Sequence, residues 1–123
     1  MANEITLTAR LAASKSSTSV SNATTSFSID MAGDQMFHSN PPITITAGLV
    51  SLGTVDTAAR YHLFMRNQDA TNEVLVSFNG GSTWPLVILP GKSMGPVTVT
   101  ASQTLWLDAQ VATCIIEIVA VEA

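Results

Sequence analysis

Charged residues are scarce in this chain, and their scarcity excludes several kinds of partner. They make up 11% of the 123 residues, well under the roughly 25% of ordinary soluble domains. The five basic residues are scattered: Arg10, Lys15, Arg60, Arg66 and Lys92. Nucleic acid and anionic lipid both require several basic side chains on one face, so we expect neither partner. A surface with so little charge is typical of a protein packed against its own copies or a larger assembly.

Cysteine and long apolar stretches are scarce as well. Cys114 is the only cysteine, so no disulfide forms within the chain, and its isoleucine neighbours predict a buried, unreactive thiol. The longest apolar run, residues 114–121, is interrupted by Glu117 and is far shorter than the roughly 20 residues that span a bilayer. Residues 1–8 lack a basic segment followed by an apolar one, so we expect no signal peptide, no membrane contact and synthesis in a cytoplasm.

The two histidines show none of the sequence context of a catalytic centre. His38 precedes Asn40-Pro41-Pro42 and is expected in a loop, whereas His62 lies inside an apolar strand pattern and is expected to be structural. Neither lies in a nucleophile motif. One cysteine and two distant histidines give no zinc-binding spacing.

The carboxylates do not form an obvious site either. Asp30 and Asp34 flank a short segment that is better explained as a turn than as a calcium loop, which requires six to eight oxygen ligands. Glu117 and Glu122 are expected to face solvent or protect a strand edge rather than to act as an acid–base pair. We therefore expect no enzyme activity, no metal and no cofactor.

The sequence is rich in Val, Ile, Thr and Ser, arranged with a period of two that predicts β-strands. Apolar and polar residues alternate in seven stretches: 5–11, 27–31, 61–66, 74–78, 97–100, 104–108 and 113–121. Residues 43–46 are expected to add a strand after the two prolines. Asn79-Gly80-Gly81-Ser82 is a hairpin signal, and residues 84–89 are expected to continue that hairpin. No stretch has helical spacing. We predict one all-β domain over residues 1–123, a jelly-roll-like β-sandwich of about eight or nine short strands.

Residues 14–26 differ from the rest because they are rich in Ser and Thr and have few apolar anchors. This composition is compatible with a loop, an extended arm or a polar edge strand. The sequence does not choose among the three.

Four residues are the candidates for a binding surface: Phe37, His38, Trp84 and Trp106. Trp84 follows the glycine turn, and Trp106 lies between two leucines with its side chain on the opposite face from theirs. We expect the tryptophans to pack in the core or in a protein interface. Exposed tryptophans on a β-sandwich also stack on sugar rings, so a carbohydrate-binding module is the alternative.

One ordered series of segments runs through the second half of the chain, from Arg66-Asn67 to a closing apolar strand. It comprises a polar turn, Val74-Leu75-Val76, Asn79-Gly80-Gly81-Ser82, Trp84, Leu89-Pro90-Gly91 and Leu105-Trp106-Leu107. This series resembles small virion proteins of tailed bacteriophages.

The resemblance implies a non-enzymatic structural role in the virion, most specifically as a capsid decoration (cement) protein bound to the major capsid protein. A tail, neck or fibre component is the alternative within the virion. Decoration proteins commonly sit at local three-fold positions, so the resemblance also favours a homotrimer.

Overall fold

The computed structural model describes residues 5–23, 25–29 and 35–122. All regular elements in these ranges are β-strands. They are β1 (Ile5–Ala9), β2 (Ala12–Lys15), β3 (Thr18–Ser21), β4 (Thr25–Ile29), β5 (Met36–Ser39), β6 (Pro42–Ile43), β7 (Gly48–Leu49), β8 (Tyr61–Asn67), β9 (Val74–Ser77), β10 (Leu86–Ile88), β11 (Ser93–Val99), β12 (Trp106–Asp108) and β13 (Cys114–Glu122). Over the same ranges, no helix is long and apolar enough to cross a membrane.

Two antiparallel sheets enclose one core. The first has the order β11-β8-β13-β5, with β6 also paired to β13, and the second has the order β10-β9-β12-β7. The buried cluster takes Leu63 and Ile118 from the first sheet and Val76 and Leu107 from the second. Alternation along each strand sends these side chains inward and their neighbours outward. The predicted all-β fold is confirmed.

The strand count exceeds the predicted eight or nine because the described part of the chain contains thirteen strands. Four of them, β1 to β4, lie outside the two main sheets. Two others, β6 and β7, contain two residues each. The predicted strand over residues 43–46 is wrong: Pro42 and Ile43 form β6 against β13, and Thr44 Oγ1 instead donates a local hydrogen bond to the carbonyl of Thr46, at 3.2 Å.

Residues 5–23 and 25–29 form an antiparallel hairpin, here called the arm, in which β1 pairs with β4 and β2 pairs with β3. Between these pairs, Asn22 bridges the strands: its Oδ1 accepts from the Leu11 backbone N–H at 2.8 Å, and its own N–H donates to the Leu11 carbonyl at 3.2 Å. The Ser/Thr-rich stretch 14–26 is therefore mainly strand. Asp30 and Asp34, which are expected to flank a turn, and Met31 between them lie outside the described residues.

The base and the tip of the arm differ in burial. Ile5, in β1, is buried and lies with Leu7 beside the outer side of β8 and β13. Every residue of β2 and β3 is exposed. The arm is therefore anchored at β1 and projects from the sandwich at β2–β3.

Asn67 is a fully buried polar residue that ties the two sheets together. Its Nδ2 donates to the Asn72 carbonyl at 2.8 Å and to the Ile88 carbonyl at 3.1 Å, while its Oδ1 accepts from the Asp69 N–H at 2.9 Å. Burying an amide is tolerated only when its hydrogen bonds are made, and all three are made here. The side chain thus fixes the connection that carries the chain from β8 to β9.

Candidate functional site

The outer side of the four-stranded sheet is an exposed apolar surface. Val74 and Val76 of β9 and Leu107 of β12 are buried in the core, so the alternate residues of these strands lie on the other side of the sheet. We call the resulting surface the outer face; it comprises Leu49, Leu75, Val87, Trp106 and Asp108. Leu49 is 60% exposed and Val87 is 43% exposed. Leu49 and Val87 lie on the two edge strands, so aliphatic side chains are exposed at both edges of the outer face.

The two tryptophans of the candidate set lie together at one end of the outer face. A Cβ placed on Gly81 would lie 3.2 Å from Trp84 Cζ2 and 3.9 Å from Trp106 Cε3. Both indole rings therefore border the backbone of the Gly81 turn, and both are half-buried. The structure brings Trp84 and Trp106 to one place although β10 and β11 separate them in the chain.

Side-chain hydrogen bonds hold the turn that the tryptophans border. Ser77 Oγ donates to Asn79 Oδ1 at 2.7 Å and accepts from the Gly81 N–H at 3.1 Å. Asn79 Nδ2 donates to Thr83 Oγ1 at 2.7 Å, and the Thr83 N–H donates back to Asn79 Oδ1 at 3.1 Å. Gly80 and Gly81 both have positive φ, 74° and 82°. The hairpin signal thus marks a well-defined turn, although β10 begins only at Leu86.

The charge of the outer face is acidic. Asp108 lies opposite Leu75 in the β12–β9 register, and Asp108 Oδ1 accepts from the Gln110 N–H at 2.9 Å. Glu73, immediately before β9, is exposed. None of the five basic residues of the sequence belongs to a strand of this sheet. The surface therefore combines apolar side chains with negative charge at one end.

Phe37 and His38, the other two candidates, lie on the opposite sheet. Phe37 packs against the core, and its Cδ1 lies 2.9 Å from a Cβ placed on Gly53. His38 is in strand β5 rather than in the expected loop, and its Nε2 lies 3.0 Å from Glu117 Oε2. Arg66 Nε lies 3.2 Å from the other oxygen of Glu117. The structure therefore does not bring Phe37 and His38 together with the tryptophans.

Glu117 and Glu122 have different environments. Glu117 contacts His38 and Arg66, as just described. Glu122 is buried, whereas the sequence predicts that it faces solvent or protects a strand edge. Glu122 Oε2 accepts from the Asp56 N–H at 2.8 Å, and Oε1 accepts from the Gln35 N–H at 3.3 Å. Backbone donors compensate the burial of this carboxylate, so Glu122 stabilises the chain at the end of β13.

His62 is a buried histidine beneath the arm. Its side chain is on the outer side of β8, where Nδ1 shares a 2.8 Å hydrogen bond with Thr98 Oγ1. Nε2 is buried and has no hydrogen-bond partner among the described residues. Ile5 and Leu7 of β1 line the same groove of about 320 Å³. Burial, and secondly the charge of Arg60, lower the pKa of His62, so the neutral imidazole is favoured.

Cys114 lacks the environment of a nucleophile. It is fully buried, Sγ donates to the Ala112 carbonyl at 3.3 Å, and burial raises the pKa of the thiol. A protonated, inaccessible thiol is unreactive. Over residues 5–23, 25–29 and 35–122, no group of three His, Cys, Asp or Glu side chains has the arrangement of a metal site.

Sequence reasoning missed Leu49, Val87 and Asp108. Leu49 belongs to a two-residue strand, and only its pairing with Trp106 places it on the outer face. Val87 lies within the run Leu86 to Leu89, where alternation is lost because both faces carry apolar residues. The period of two around Trp106 was the available signal, since it also places Asp108 on the same face.

No protein-family model, curated protein or solved structure gives a significant match to this chain. The geometry itself describes a surface rather than a pocket: two indole rings, aliphatic side chains and carboxylates at one end. Such an arrangement supports burial against another molecule, and its aromatic residues are the type that dominates binding energies at interfaces.

Proposed function

We propose that this protein is a non-enzymatic structural component of a phage virion, most specifically a capsid decoration protein that binds the major capsid protein and stabilises the head. The observation that carries the proposal is the outer face, where exposed Leu49 lies opposite Trp106 and exposed Val87 lies opposite Leu75. Water contact with these side chains is unfavourable by roughly 25 cal/mol per Å² of apolar surface. Burial of this face against a neighbouring chain in the assembled head removes that cost and stabilises the assembly.

The strand order supports a jelly-roll assignment. If β5 and β6 count as one strand, the sandwich has eight strands, numbered one to eight from β5–β6 to β13. The two sheets then have the orders 1-8-3-6 and 2-7-4-5. Both sheets draw strands alternately from the two ends of the chain, as in a jelly roll of two Greek keys. Viral capsid and lectin domains include this architecture, which agrees with the proposal without assigning a function alone.

The exposed arm supports an assembly role as well. An isolated two-stranded hairpin is only marginally stable in water, yet β2–β3 projects with every residue exposed. Contact with a neighbouring chain would cover the arm. We propose that the protein forms a homotrimer, whose closed symmetry hides apolar surface and strand edges.

Two alternatives remain testable against this proposal. A tail, neck or fibre component would use the same surfaces at another place on the virion. A carbohydrate-binding module is favoured by one observation, the two indole rings that border Gly81, because paired aromatic rings stack on sugars.

Labelling of purified virions with an antibody against this chain, imaged by negative stain, separates the virion alternatives. We expect labels distributed over the head. Labels confined to the tail would move the protein to a tail or fibre role, and unlabelled virions that lack the chain by mass spectrometry would contradict the proposal.

A glycan array tests the carbohydrate alternative. We expect no saturable binding. Sugar binding that is lost in Trp84→Ala and Trp106→Ala, but kept in the distant variant His38→Ala, would replace the decoration proposal with a lectin-like one. Circular dichroism of each variant shows whether the β-fold is intact.

A further inference from the structure

The projecting part of the arm has one apolar side. In the β2–β3 register, Ala13 lies opposite Val20 and Lys15 lies opposite Thr18. Alternation places these four side chains on one side of the hairpin, in line with Leu11. Leu11 is 76% exposed and Val20 is 62% exposed. The arm therefore carries an apolar stripe, Leu11, Ala13 and Val20, with a lysine at the tip.

The charge of the arm is opposite to that of the outer face. Residues 5–29 contain Arg10 and Lys15 and no Asp or Glu. The outer face has Asp108, with Glu73 adjoining it, and its strands contain no basic residue. The two surfaces are thus complementary in both properties: each is apolar, one ends in a lysine, and the other ends in carboxylates.

We propose that the arm of one copy docks on the outer face of a second copy, with the stripe Leu11, Ala13 and Val20 against Leu49, Val87 and Trp106, and with Lys15 beside Asp108. This inference rests on the proposed function, because it uses the outer face as an interface. Apolar burial supplies most of the free energy of association. An exposed ion pair adds little net free energy, so the lysine–aspartate pair acts mainly by favouring one direction of docking.

The proposed contact is heterologous, because an arm on one copy meets a different surface on the next. Repetition of such a contact produces a closed ring when the rotation between copies closes, and an open filament when it does not. Three copies close the ring in the proposed homotrimer. Each copy then has its arm and its outer face covered once.

Cross-linking between single-cysteine variants tests the contact. Lys15→Cys protein is mixed with Asp108→Cys protein and treated with a bismaleimide that spans roughly the length of a lysine–aspartate ion pair. The native Cys114 is buried and stays in all variants. Ser14→Cys is the matched control, because Ser14 is equally exposed but on the opposite side of the hairpin.

We expect the Lys15→Cys and Asp108→Cys mixture to form a linked pair of chains at least tenfold faster than the mixture of Ser14→Cys and Asp108→Cys. A chain with both Lys15→Cys and Asp108→Cys should give closed trimers on denaturing gels. Equal rates for the two mixtures would overturn the proposal. Linkage of Lys15→Cys only to major capsid protein, on assembled heads, would also overturn it and assign the arm to that partner.

The outcomes for the inference and for the proposed function are separable. Linked trimers from a protein that is absent from virions would leave the inference standing and refute the virion role. A protein that labels heads but gives no specific linkage would leave the virion role standing and refute the docking of the arm.

Discussion

Trp84 and Trp106 border the same glycine: a Cβ on Gly81 would lie 3.2 Å from an atom of the first ring and 3.9 Å from an atom of the second. Both rings therefore pack beside the turn from Ser77 to Thr83. Its conformation depends on Gly81, whose φ is +82°. A larger residue there must displace the Trp84 ring, and the outer face changes with it.

Gly81→Ala should lower stability more than Gly80→Ala and should also shift the fluorescence of the tryptophans. Both glycines have positive φ, which costs an alanine about 1 to 2 kcal/mol. Only the Gly81 substitution also presses on Trp84, because no atom lies within 4 Å of a Cβ at Gly80. Thermal melting and emission spectra of the two variants provide the comparison. The same spectral shift in both would show that Gly81 does not position the rings.

Gly95→Ala should be among the most destabilising single-methyl additions in the chain. Its φ is +98°, and a Cβ there would lie 2.6 Å from the Leu63 carbonyl oxygen and 3.1 Å from the Val97 nitrogen. Backbone atoms cannot move aside as a flexible side chain can, so β11 would separate locally from β8.

The control for Gly95 is Gly91→Ala, where φ is +67° and the surroundings are open. We expect Gly95→Ala to reduce the free energy of unfolding by about 2 kcal/mol more than Gly91→Ala does, measured by urea titration. Equal losses of stability in the two variants would contradict a close contact between Gly95 and the backbone of β8.

The strands that sequence patterns predict well are the long ones with one buried side. The alternation Tyr61, Leu63 and Met65 matches β8, whose inward apolar side chains are these three, and residues 113–121 match β13 within one position at each end. A period of two is decisive where core burial imposes it. The all-β fold follows from such strands.

The rest of the fold depends on pairing between distant residues, which local pattern does not encode. Pro42 of β6 pairs with Ile115 of β13, although a proline, which has no backbone N–H to donate, argues against a strand at this point of the sequence. Glu122 is buried because backbone N–H groups of Gln35 and Asp56 meet it. For the candidate site, Trp84 and Trp106 were identified from the sequence, but their meeting at Gly81 required the turn to fold back.

The stability of the protein should decrease in mild acid because of His62. Burial and then the charge of Arg60 lower the pKa of His62 from its ordinary value of 6.5. Below pH 6.5, His62 takes up a proton in the unfolded chain but stays neutral in the folded chain. The free energy of unfolding therefore falls as the pH falls. The stability that the neutral His62 contributes is fully present above pH 6.5 and is lost as the pH falls toward the lowered pKa.

Urea unfolding of the wild type and of His62→Gln, at about pH 7.5 and about pH 5.5, isolates this contribution. The wild type should lose more stability over the interval than the variant does. A wild type whose pH dependence equals that of His62→Gln would show that His62 titrates normally.

The free protein should have the mass of three chains at low micromolar concentration. Apolar contacts supply most of the association energy, so the trimer should persist at about 1 M salt, where ionic interactions are screened beyond about 3 Å. The double variant Leu11→Ser with Val20→Ser should dissociate. Light scattering over a dilution series measures the mass. A wild-type mass of one chain, stable across dilution, would contradict the trimer.

Heat resistance of capsids tests the central claim most directly. Purified heads that lack this protein are incubated with the wild type or with Trp106→Ser, and DNA release or capsid collapse is followed during heating. Because binding to the assembled state stabilises that state, the wild type should raise the temperature of collapse by several degrees, and Trp106→Ser should raise it much less. Collapse at the same temperature with and without saturating wild-type protein would contradict the account.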